Sequence, residues 1–101
     1  MLDAAVKAVS FTAHRQPEDL DRDEMLLLAL LRLLEVIGEA ATGVSERFKA
    51  DHADLPWRQM TATRNRLIHG YFDVDPTIVW NIVTKNLPDL VAKLEKLIPE
   101  L

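Results

Sequence analysis

Between Arg64 and Tyr71 the chain reads Arg-Asn-Arg-Leu-Ile-His-Gly-Tyr, a stretch that gathers groups able to handle an anion and a proton. Arg64 and Arg66 supply fixed positive charge and planar forks of donors, and Asn65 supplies an amide. His69 is the side chain that takes or gives a proton near neutral pH, and Tyr71 adds a phenol two residues on. On a helix, Asn65 and Arg66 stand four and three residues before His69 and share its side. Arg64 stands five before it, so their stems diverge around the axis. A long side chain or a second subunit is needed to bring Arg64 and His69 together.

A plainer reading accounts for part of the same stretch. Gly70 just past a helix end is a common C-terminal stop, His69 in the last turn suits the helix dipole, and Tyr71 can close the hydrophobic contact of that stop. Capping leaves Arg64, Asn65 and Arg66 together one turn earlier without an explanation. The two readings stand about even on spacing alone.

The elements that must position these groups come from a chain of 101 residues, the size of one domain with one core, and residues 1–101 are read as a single domain. It has no cysteine, which removes disulfides, thiol nucleophiles and thiolate metal sites and fits a reducing, cytoplasmic setting. The apolar run from Met25 to Leu31 is far short of the roughly 20 residues of a membrane span, and no secretory signal is visible after Met1. A net charge of −4 argues against a general nucleic-acid coat protein. Residues 1 to 51 hold ten acids and six bases, residues 52 to 101 hold six of each, and from Trp57 to Tyr71 every formal charge is positive. One small basic island on an acidic body suits contact with a few phosphates, with Arg58 and Arg66 as candidates beside Arg64; a solvated basic helix face is the plain alternative.

Apolar residues at helical spacing predict a first helix over residues 2 to about 14, ending near His14 and Arg15. No capping residue precedes it, which leaves open a first turn upstream of Met1. Gln16 to Asp19 reads as a turn, and Asp21 with Glu24 as an acidic capping box that opens a second, longest helix. That helix is expected to run from Met25 to about Phe48 on the stripe Leu26, Leu30, Leu33, Ile37, Ala41, Val44 and Phe48. Leu27, Leu28, Leu31 and Leu34 widen the stripe to much of the circumference, so more than one neighbour must cover it, a second copy of the chain being one candidate. Glu35, Glu39, Thr42 and Glu46 form the opposite, solvated stripe, from which Glu39 can orient an arginine or histidine across an interface. Residues 48 to 57 are the connector, where His52 beside Asp51 and Asp54 is a weak metal or proton-relay candidate, and Leu55-Pro56-Trp57 marks re-entry into helix. Trp57, Met60, Leu67 and Ile68 form the buried face of this third helix, which Gly70 ends. Asp75 then caps a helix with Pro76 at its first position and Val74 stapled to Val79. Pro88 kinks or divides it, and Leu90, Val91, Leu94, Leu97 and Ile98 complete the core.

Arg64-Asn65-x-x-x-His69-x-Tyr71 resembles the R-x-x-x-x-H-x-Y signature of the HEPN superfamily, and in particular of the HepT toxins, whose partner is a minimal nucleotidyltransferase called MntA. The resemblance extends to Leu34-Glu35-Val36-Ile37-Gly38-Glu39-Ala40-Ala41, Leu55-Pro56-Trp57-Arg58, Leu67 to Phe72, and Val79-Trp80 to Leu87-Pro88, and so covers nearly the whole chain. Members of that family usually carry about a turn or more of helix before the Met-Leu-Asp seen here at 1 to 3. What the resemblance implies is an all-α, four- to five-helix up-and-down bundle, a two-fold homodimer, and a metal-independent, cofactor-free endoribonuclease site in the cleft between subunits. Arg64 and His69 would be the catalytic pair with Asn65 assisting, and Tyr71 the acceptor to which an MntA-type antitoxin transfers AMP. The chain itself carries no nucleotidyltransferase motif. Two other functions fit the same residues: a non-catalytic helical adaptor for a partner nucleotidyltransferase, mildly favoured by the acidic charge, and a nucleotide-binding bundle using Arg64 and Arg66 on a phosphate.

Overall fold

The computed structural model describes residues 1–67 and 74–97; the expectations that fall on Ile68, His69, Gly70, Tyr71 and Ile98 lie outside the described residues. Every described element is a helix, with no strand among the described residues. In order these are α1 (Leu2–Thr12), α2 (Asp19–Arg22), α3 (Glu24–Thr42), α4 (Glu46–Asp51), α5 (Trp57–Leu67), α6 (Pro76–Asn81), a π-helical turn (Ile82–Asn86) and α7 (Leu87–Leu97). The last three form one unbroken helical run from 76 to 97.

Several local expectations shift by a few residues, each for a visible reason. The first helix ends at Thr12, not near His14, because Arg15 N–H bonds back to the Thr12 carbonyl and His14 takes a left-handed conformation with φ 66°. The cap of the longest helix is Asp23, not Asp21: its carboxylate accepts from Leu26 N–H at 3.0 Å. Asp19, two residues before Asp21, instead accepts from Gln16 N–H at 2.7 Å and closes the preceding turn. The long helix stops at Thr42 rather than Phe48. Gly43 is its C-cap, and Ser45 starts a new short helix by accepting from Phe48 N–H at 3.1 Å. The apolar stripe passes through Val44 and Phe48 without a break, so periodicity alone hid this change of direction.

Asp75 and Pro76 behave as expected, Asp75 accepting from Thr77 N–H at 2.9 Å with Pro76 in the first turn. Pro88 neither ends nor divides its helix. The π turn lies just before it, where Leu87 N–H bonds to the Ile82 carbonyl five residues back. That wider register accommodates a proline which has no N–H of its own to give to the carbonyl four residues earlier.

The core runs through α1, α3, α5 and the C-terminal run, with Leu30, Leu31, Val79 and Val83 essentially sealed from solvent. Burying each such side chain contributes about 1.5–3 kcal/mol, so these positions dominate the favourable side of folding. Helix α3 is surrounded within the chain by α1, α2, α5 and α6. Leu31 and Leu34 belong to the core, while Leu28, expected in the apolar wrap, remains exposed, as does Met25 at the start of the helix.

Candidate functional site

Helix α5 carries Arg58, Arg64, Asn65 and Arg66. Its buried side is set by Met60 and Leu67, which turn into the core, with Trp57 half-buried at its start. Trp57 is a structural residue here: its indole N–H donates to the His52 carbonyl at 2.9 Å, and its ring meets Phe48 edge-on at 6.2 Å. His52 is the C-cap of α4 with its ring against Phe48 at 4.3 Å. Among the described residues, no three or more His, Asp or Glu side chains are grouped as a metal site would need. No described helix is long and apolar enough to cross a membrane.

The approach of α5 to α3 is governed by Gly38. A Cβ on that residue would collide with the Cβ of Arg64 and stand 2.7 Å from the carbonyl oxygen of Met60. The absence of a side chain at Gly38 is what lets the root of Arg64 lie against the backbone of α3. An interior glycine costs a helix roughly 0.5–1 kcal/mol relative to alanine, a cost offset here by the close packing it permits.

Glu39 then takes the head of the same side chain. Its Oε1 accepts from Arg64 Nε–H at 2.7 Å, and the neighbouring Asn65 Oδ1 accepts from Arg64 Nη1 at 2.9 Å. The sequence puts Glu39 on a solvated stripe from which it can orient an arginine or a histidine across an interface; it is indeed half-exposed, and the arginine it orients belongs to its own chain. Geometry decides this, since Gly38 brings α5 close enough for the next residue on α3 to reach the guanidinium. Nη2 of Arg64 has no partner among the described residues. The Arg64 and Glu39 side chains are 27% and 48% exposed, so the pair is worth about 0.2–1 kcal/mol and its main effect is on orientation. One turn earlier on α3, Glu35 pairs with Arg32 at 3.2 Å.

The remaining candidates separate. Arg58 and Asn65, seven residues apart, share the solvent side of α5. Arg66 lies at a different angle, lining a groove with Val74, Asp75 and Ile78. Arg58 and Arg66 are exposed cations with no ion-pair partner among the described residues.

Among the described residues, then, one arginine of an all-helical chain is held by an acid and an amide. Residues 1–97 match the model of the family described as ribonuclease HepT-like. The chain belongs to the HepT-like ribonuclease family. Within it, the chain is 42% identical over 87 residues to a protein of Thermococcus cleftensis described as a probable ribonuclease HepT, covering 86% of this chain and 79% of that one. It is 34% identical over 93 residues to a protein of Caldanaerobacter subterraneus subsp. tengcongensis described as a candidate RNase, covering 92% of this chain and 78% of that one. A protein of Methanocaldococcus jannaschii, also described as a candidate RNase, is 32% identical over 95 residues, with 94% and 87% covered. No solved structure gave a significant match. In this HepT-like chain Arg64 and Asn65 stand together on α5 with Glu39 of α3.

Proposed function

We propose that this HepT-like chain is a metal-independent endoribonuclease that works as a homodimer, with Arg64, His69 and Asn65 as its catalytic groups. The observation that carries the reading is the state of the Arg64 fork: among the described residues Nε and Nη1 are held and Nη2 is open. A planar cation fixed at two points presents its third nitrogen to an anion with little loss of side-chain freedom.

RNA brings its own nucleophile. His69 takes the proton of the 2′-hydroxyl, the 2′-oxygen attacks the adjacent phosphorus, and the bond to the 5′-oxygen breaks, that oxygen leaving with a proton drawn from water. The product is a 2′,3′-cyclic phosphate. Arg64 stabilises the charge that accumulates on the phosphorane oxygens, and Arg58 and Arg66 are proposed as contacts to flanking phosphates. No step requires a metal or a cofactor. The five-residue spacing of Arg64 and His69 is relieved when each cleft draws on two subunits, and the exposed Met25 and Leu28 beside the charged stripe of α3 give a second copy apolar surface to cover.

The chain acts as the toxin of a type VII toxin–antitoxin pair in the cytoplasm, and a MntA-type nucleotidyltransferase silences it by transferring AMP to Tyr71. Added bulk and negative charge two residues from His69 would repel an RNA phosphate. The test is cleavage of single-stranded or tRNA-like RNA in EDTA. Arg64→Ala and His69→Ala are expected to lower the rate by at least about 100-fold while leaving the helical fold intact. Equal cleavage by these variants overturns the reading and favours an adaptor. Exposure to the partner with ATP is expected to add AMP to the wild type and not to Tyr71→Phe.

A further inference from the structure

We infer that Glu39 is the positioning residue of this site: it holds Arg64 by Nε–H so that the Nη2 end meets an RNA phosphate in one orientation. This rests on the ribonuclease reading above and adds to it a residue outside the signature.

The edge that Glu39 uses is the informative point. A carboxylate that merely competed with substrate would engage the fork on two terminal nitrogens, as carboxylates often do with arginine. Glu39 Oε1 instead takes Nε, the nitrogen nearest the stem, at 2.7 Å, and Asn65 takes Nη1 at 2.9 Å. Among the described residues the guanidinium plane is fixed at two points and open at the third. Helix α3 also controls the root of the side chain, because Gly38 leaves room for Arg64 Cβ and for the Met60 carbonyl directly beneath it. Adjacent residues on one helix thus define where Arg64 starts and how its head is turned. Glu35, the next acid on the same stripe, pairs with Arg32, and Glu39 is the carboxylate paired with Arg64 among the described residues.

The carboxylate has a second consequence. Its charge offsets that of Arg64, which lowers the attraction of the resting site for phosphate in general while keeping the geometry needed in the transition state. Glu39→Gln keeps an acceptor on Nε–H and removes the charge; Glu39→Ala removes both. On a single-stranded RNA of mixed sequence in EDTA, Glu39→Ala is expected to lower kcat by about 10- to 100-fold without raising KM. Glu39→Gln is expected to keep most of kcat with KM unchanged or lower. Full kcat in Glu39→Ala overturns the inference, and so do equal losses in the two variants, which would assign Glu39 a charge effect alone. A readout independent of cleavage is the nitrogen-15 NMR signal of Arg64 Nε–H. It is expected to exchange slowly with water in the wild type and in Glu39→Gln, and to be lost to fast exchange in Glu39→Ala. The same rapid exchange in all three proteins overturns the positioning role. Absence of RNA cleavage by the wild type would strike the ribonuclease reading, and the Nε–H signal would then decide the role of Glu39 alone.

Discussion

Helix α5 meets its neighbours in two opposite ways. Against α3 the backbones close to the point where Gly38 leaves no space for a methyl group beside Arg64 and Met60. Towards the C-terminal run, the same helix borders an open cavity of about 690 Å³, with Gln59 and Thr63 facing Lys85 and Asn86 of the π turn. Arg64 is rooted on the closed side, and Arg66 faces the groove toward α6 on the other. The placement of the site-bearing arginine is therefore set by α3, while the C-terminal run has room to vary without moving it.

Filling the closed side gives the largest expected effect. Gly38→Ala should lower stability by about 1–3 kcal/mol, because a packed helix contact admits an extra methyl only by shifting backbone. RNA cleavage should fall in parallel as Arg64 moves. A thermal melt and an activity assay check both, and an unchanged melt would mean that the seam yields easily and the contrast is not one of packing. Loosening the other side should cost less. Asp75→Ala removes the cap of α6 and should cost about 1 kcal/mol in a denaturant titration, with the Arg64 Nε–H signal unmoved; displacement of that signal would show the two sides to be coupled. The smallest effect is expected at the cavity wall. Lys85→Ala should change stability by less than about 0.5 kcal/mol and leave RNA cleavage as it was. A tenfold loss of cleavage there would bring the cavity into substrate binding and end the separation of the two sides.

Element types were largely legible from local patterns; of the caps, Asp75 was legible, while the longest helix is capped by Asp23 instead of Asp21 and the cap at Ser45 went unforeseen. Asp75-Pro76, the helical stripe of Leu26, Leu30 and Ile37, and the core role of Trp57 follow from spacing and from what each residue type can bond. The break at Thr42 was not legible, because Val44 and Phe48 stay in phase with the stripe although Gly43 and Ser45 redirect the chain. Nor was the π turn before Pro88, where the sequence says only that one hydrogen bond is missing and not how the backbone absorbs it.

The candidate site divides along the same line. The amino-acid sequence by itself determined which groups are available: Arg64, Asn65 and His69 owe their donors, charge and proton affinity to residue type, and their order along the chain is what resembles the R-x-x-x-x-H-x-Y signature. Only the tertiary structure decided that Arg64 answers to Glu39, a residue 25 positions earlier. That pairing depends on how closely two helices approach, and the approach is set by the missing side chain of Gly38, a packing relation that no local pattern encodes.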